Sequence, residues 1–206
     1  MKDRRLAPHS METGHLDEMP MKALLIIDMF NRLDFPGAEN LAPRALAIAG
    51  PLSVASREIA AEGGAVFYVN DDVADGACEL LEVKAVMIEQ GGISAEIARC
   101  LNIGSGSVLL TKPQHSAFYE TPLAERLEAL GVTEVWIGGV AADLCVLASA
   151  IDATMRGFAV RVPKNLVASE TREQWSSALE LLGRSFKIDI TPWVPAADDL
   201  GAVAES

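Results

Sequence analysis

Hydrophobic residues along this chain fall into short unbroken runs, each closed by a polar residue or by glycine. The first, inside "KALLIIDMF", covers Ala23 to Ile27 and stops at Asp28. "GGAVFYVND" follows a glycine pair and ends at Asn70 and Asp71, and "GSVLLTK" ends at Lys112. "TEVWIGGV" runs into Gly138 and Gly139, "FAVRVP" spans Phe158 to Val162, and "FKIDITP" supplies a sixth run. Runs of this length without alternation predict strands covered on both faces.

The stretches between them have a helical period. Residues 39–62 set Leu46, Ile48, Leu52, Ala55 and Ile59 on an apolar side, and "SAEIARCL" predicts a shorter helix. "TPLAERLEALG" aligns Leu123, Leu127 and Leu130 before a terminating glycine. Leu144, Leu147, Ala148, Ile151 and Met155 recur at spacings of three and four, and "TREQWSSALELLG" pairs a threonine cap with a final glycine. Strands alternating with helices predict an α/β fold: a three-layer αβα sandwich, Rossmann-like and doubly wound, around a mainly parallel six-stranded sheet. No repeat, low-complexity linker or composition shift divides the chain. One domain is expected over 22–195, with a mobile N-terminal tail over 1–21 and a C-terminal tail over 196–206.

Half of the 206 residues are hydrophobic, enough for a sizeable core. The net charge of -12 works against binding a phosphate backbone or an anionic lipid surface, so neither nucleic acid nor membrane is an expected partner. Cys78, Cys100 and Cys145 are odd in number and far apart, which predicts free thiols in a reducing compartment. The polar N-terminal stretch has no apolar h-region, and no run reaches membrane-spanning length. A cytoplasmic protein is expected. "IIDMFNRLD" has no glycine where a dinucleotide fold needs its phosphate turn, and "NIGSGS" precedes its strand instead of following it.

Ligands of a parallel sheet bind beyond the carboxyl ends of its strands. There the chain places Asp28, Asn70 with Asp71, Lys112, and the turn from Gly138 to Cys145. A carboxylate, an ammonium and a thiol on one rim are the parts of a nucleophilic acyl transfer. With a helix starting near Ala142 or Asp143, its free N–H groups and positive end favour a thiolate at Cys145, and a nearby Lys112 lowers the thiol pKa further. Asp28 then takes the thiol proton or hands one to a leaving amine, while the same N–H groups hold an oxyanion. Plainer roles are open to each residue. A lone cysteine in a helix is usually packing, which is the reading for Cys78 and Cys100; Asp28 can cap a turn, and Lys112 can be an exposed strand end.

Three blocks, "ALLIIDMFNRLDFPGAE", "TKPQHSAFYETPL" and "GGVAADLCVLASAIDATMRGFAVRVPKNLVASE", carry a resemblance to the isochorismatase-like cysteine hydrolases over roughly residues 22–192. That family includes nicotinamidases, N-carbamoylsarcosine amidases and ureide hydrolases. The resemblance implies the sheet order 3-2-1-4-5-6 and a catalytic triad of Asp28, Lys112 and Cys145. It also implies a cis peptide between Val140 and Ala141, and an oxyanion hole made by the backbone N–H groups of Ala141 and Cys145. Lys112 leaves a more distant strand, so its loop is expected to run back over the rim, with "HSAFYETPL" as that loop and Phe118 as a buried anchor. Asn31, Asn70, Asp71 and Phe118 are candidates for the pocket wall.

Nicotinamidases of the family carry an Asp/His metal site after the second strand, where "YVNDDVADGACE" has no histidine. No metal and no cofactor are therefore expected. Isochorismatases proper act on a vinyl ether without a nucleophilic cysteine, so Cys145 favours an amide or ureide. The expected activity is hydrolysis of a C–N bond in a small amide or ureide through a thioester, in a homo-oligomer (dimer or tetramer). The competing reading is a catalytically silent member that binds a ligand or regulates a partner.

Overall fold

The computed structural model describes residues 21–71 and 79–196. The expected tails, apart from Met21 and Ala196, and Cys78 lie outside the described residues. The sheet contains β1 (Met21–Ile27), β2 (Ala65–Asn70), β3 (Val108–Thr111), β4 (Val132–Val140) and β5 (Ala159–Arg161). They lie side by side in the order β3-β2-β1-β4-β5, every pair parallel. The run around Asp189 takes the next place beside β5, through a bridge to Arg161 and a bond from Val162 N–H to the Asp189 carbonyl (2.8 Å). The expected order therefore holds. A strand the hydrophobic pattern did not predict, β6 (Val167–Ala168), continues along β4 and pairs with Gly139 and Val140. Two residues are too few to show a period.

The unbroken apolar run of β1 has a simple cause. Its side chains alternate between two cores, and both are dry. Leu24 and Ile26 pack with Leu52, Ile59, Met87 and Ile97 on one face. Ala23, Leu25 and Ile27 pack with Leu127, Val146, Ala150 and Leu182 on the other. The first face is covered by α1 (Ala38–Ala61), α2 (Leu80–Gln90) and α3 (Gly92–Cys100). The second is covered by α4 (Leu123–Ala129), α5 (Leu147–Met155) and α6 (Arg172–Glu180). These are the three layers expected. Helix α2 was not anticipated: only Leu80, Val83 and Met87 are buried along it, while Leu81 is exposed, so its apolar residues do not form one clean stripe.

The glycine pair of β4 is a packing requirement. A Cβ on Gly139, whose φ is 112°, would collide with the backbone of Ile27 in β1, and one on Gly138 would meet the Leu52 side chain of α1. Close approach of β4 to β1 puts the end of β4 beside Asp28, and this positions the site.

Candidate active site

Asp28 follows the last residue of β1, and its N–H still donates to the Val69 carbonyl of β2 (2.9 Å). Its backbone turns left-handed there (φ 52°), a region that aspartate enters more readily than most residues. Lys112 stays on the β2–β3 ladder, donating from its N–H to the Asn70 carbonyl (2.8 Å). Its side chain then crosses the end of β2. Lys112 Nζ lies 3.0 Å from Asp28 Oδ2, 2.6 Å from Asp71 Oδ1 and 3.6 Å from Cys145 Sγ. Asp71 closes the arrangement by donating its backbone N–H to Asp28 Oδ1 (3.2 Å). One fully buried ammonium thus joins the ends of three strands.

After β4 the peptide between Val140 and Ala141 is cis. The chain then makes a wide turn of π-helix, Ala142–Val146, before α5 begins. A regular helix start was expected here; instead the Ala141 carbonyl accepts from both Leu144 N–H (3.1 Å) and Val146 N–H (3.2 Å). Cys145 sits within this wide turn, only 6% exposed.

The segment after Lys112 does run back over the rim, as expected. Ser149 of α5 pins it: its hydroxyl accepts from Ala117 N–H (2.9 Å) and donates to the Cys145 carbonyl (2.7 Å). Ser116 adds a hydroxyl bond to Asp152 Oδ2 (2.7 Å). The pinned loop delivers His115, whose Nδ1 lies 3.7 Å from Cys145 Sγ. Sequence reasoning did not single out His115. The available signal was its place three residues after Lys112, on the loop already expected to return to the site.

The electrostatics of the thiol run opposite to the sequence expectation. Burial and the adjacent Asp28 carboxylate push the Cys145 pKa up to about 12, and Lys112 offsets this only in part. Burial also raises the Asp28 pKa, against the pull of Lys112. For Lys112 itself burial disfavours the charge, but Asp28, Asp71 and the Cys145 sulfur outweigh it and its pKa rises to about 12. Burial and Asp28 thus disfavour the thiolate in the resting centre.

The pocket candidates separate. Asp71 belongs to the centre through Lys112. Asn70 is buried and donates its side-chain N–H to the Phe30 carbonyl (2.8 Å), leaving Oδ1 without a partner among the described residues. Asn31 accepts from Leu33 N–H (2.8 Å) in a local turn. Phe118 is a core residue, stacked on Phe158 at 6.1 Å with the Arg156 guanidinium on its ring. An open cleft of about 550 Å³ adjoins the centre at Lys112 and is lined also by Asp71, His115 and Glu120. No group of three or more metal-binding side chains occurs among the described residues, and no described helix is long and apolar enough to cross a membrane.

A buried cysteine packed against a lysine and an imidazole is suited to cysteine-dependent hydrolysis of a small molecule's C–N bond. Comparison with known proteins agrees. The sequence signature of the Isochorismatase domain matches residues 22–191. The isochorismatase family protein YaaI of Bacillus subtilis is 31% identical over 82% of this chain and 93% of its own length. The maleamate amidohydrolase of Pseudomonas putida is 33% identical over 70% of this chain and 71% of its own. An isochorismatase family protein of Desulfovibrio vulgaris superposes with a TM-score of 0.64 at 28% identity, covering 91% of this chain and all of that one. With signature, sequence and fold in agreement over most of its length, this protein belongs to the isochorismatase-like hydrolase family.

Proposed function

We propose that Cys145, Asp28 and Lys112 act together to hydrolyse the C–N bond of a small amide or ureide through a thioester. The observation that carries this reading is the single buried ammonium of Lys112 in contact with Asp28 and with the Cys145 sulfur. Asp28 takes the Sγ proton as the sulfur attacks the carbonyl carbon, so charge moves from the carboxylate to the new oxyanion. The backbone N–H groups of Ala141 and Cys145 receive that oxyanion. Asp28 returns the proton to the leaving nitrogen, the C–N bond breaks, and ammonia or an amine departs. Water, giving a proton to Asp28, attacks the thioester; the C–S bond breaks and the sulfur takes the proton back. A carboxylate whose pKa is raised by burial is the better base for this exchange, and Lys112 keeps it ionised enough to act.

The raised thiol pKa means that the nucleophile forms as substrate is attacked instead of being stored as a thiolate. Asp71 holds Lys112 in place, and Asn70 fixes the loop after β1. Asn31 and Phe118 serve the fold. The chemistry uses no metal or cofactor in this proposal. The protein works in the cytoplasm as a homo-oligomer, a dimer or tetramer, without a nucleic-acid partner; the exposed Tyr119, Leu144 and Met155 are apolar surface available to a second copy.

The test is ammonia release from a panel of amides and ureides, with Cys145→Ser as the control. Intact mass measured after rapid quenching looks for the acyl adduct. The expected result is turnover by the native protein, an adduct on the peptide holding Cys145, and neither in the variant. Turnover that survives Cys145→Ser would remove the proposal. Binding of panel members without turnover would favour a silent binding protein.

A further inference from the structure

The charge around Cys145 narrows what can be bound there. Among the described residues, Lys112 is the only lysine or arginine lining the cleft, which also holds His115, and the Lys112 side chain is fully buried in two ion pairs. Two carboxylates line the cleft with that ammonium, Asp71 with its side chain 61% exposed and the exposed Glu120, and a third, Asp28, pairs with Lys112 from within the centre. Asn70 adds a buried acceptor oxygen without a partner among the described residues, at the same strand end as Asp71. Negative charge thus outweighs positive around a cleft whose one ammonium is already engaged.

We infer that, given the hydrolase reading above, this site takes an uncharged or cationic amide or ureide and turns away one bearing a carboxylate near the scissile bond. A substrate carboxylate would find no free cation among the described lining residues and would sit against Asp71 and Glu120. Across about 6 Å at an effective dielectric near 20, each unit of net negative charge disfavours such an anion by about 100-fold. Exposure of Asp71 and Glu120 to water and salt reduces this, so about tenfold or more is the expected effect.

Charged thiol reagents read this potential without knowledge of the substrate. The native protein is treated with methanethiosulfonates of similar size that are neutral, cationic (trimethylammonium-ethyl) or anionic (sulfonato-ethyl). Rates at Cys145 are followed by peptide mass and divided by those for 2-mercaptoethanol. The expected cationic-to-anionic ratio exceeds that of the small thiol by about tenfold or more, and shrinks in about 0.5 M salt. Glu120→Gln should narrow it by about two- to fivefold, since it removes one partly screened charge.

In parallel, ammonia release is measured for butanamide, 4-aminobutanamide and succinamate, which share one acyl length and differ in charge. Succinamate is expected to have the lowest kcat/KM of the three. A corrected reagent ratio near one, or succinamate turned over faster than butanamide, overturns the inference. The expected ratio together with no turnover of any amide or ureide would instead overturn the hydrolase reading, with the charge selection intact.

Discussion

Strand β1 carries an ion pair at each end, and the two could hardly differ more in consequence. At its start Lys22 Nζ lies 2.8 Å from Glu62 Oε2, with side chains 22% and 54% exposed. Beyond its end Asp28 Oδ2 lies 3.0 Å from Lys112 Nζ, with side chains 8% and 0% exposed. The distances are alike, so distance does not separate them. Solvent does. The Lys22 pair trades water for a partner at small net gain. The Lys112 pair has lost its water, so removing either partner strands a buried charge. The same loss of water raises the Asp28 and Cys145 pKa values.

The largest effect is expected from Lys112→Met, which keeps the length of the side chain and removes its charge. Asp28 is then left buried without a counter-charge, and stability at neutral pH should fall by about 3–5 kcal/mol. The sign with pH follows from the raised pKa of Asp28. A carboxyl that binds its proton more tightly in the folded state adds stability at low pH and loses it as pH rises through the folded value. The deficit should therefore shrink from pH 8 towards pH 5 in denaturant titrations. A deficit below about 1 kcal/mol, unchanged with pH, would mean the two ion pairs are equivalent after all.

Asp28→Asn sharpens the functional side of the contrast. Asparagine tolerates the same left-handed backbone, so the fold should persist while kcat/KM drops by about 10²- to 10⁴-fold. The acid limb of the native pH–rate profile should lie above the usual aspartate value of 3.8 and disappear in the variant. An unshifted limb surviving in Asp28→Asn would assign the base elsewhere, with His115 the next group to test.

The smallest effect belongs to Lys22→Met. Stability should change by less than about 1 kcal/mol, less still in high salt, and kcat/KM should be unaffected. A loss above about 2 kcal/mol in thermal or denaturant unfolding would contradict the assignment of this pair as solvent-screened.

Much of the architecture was legible because its signals are local. Continuous apolar runs mark strands buried on both faces, and the polar residues closing them mark the rim; Asp28 and Lys112 were found in that way, and Cys145 from the glycine turn and helix start after the fourth run. Other features have no local signal. Strand β6 is two residues long, and α2 buries only Leu80, Val83 and Met87 among other apolar neighbours. His115 reaches the sulfur only because Ser149 and Asp152, more than thirty residues away, hold its loop down. The thiol is the clearest case. A helix start and a lysine predict a lowered pKa, yet packing and Asp28 raise it.

By itself the amino-acid sequence determined most of the segments that become strands and helices, the doubly wound class, and which reactive side chains stand at strand ends, since hydrophobic period and residue type are properties of the chain. The tertiary structure alone decided the direction in which the Cys145 pKa moves, the triple engagement of Lys112 and the sign of the charge around the cleft. Those depend on desolvation and on distances between residues far apart in sequence, and they come into being only when the strands pack side by side.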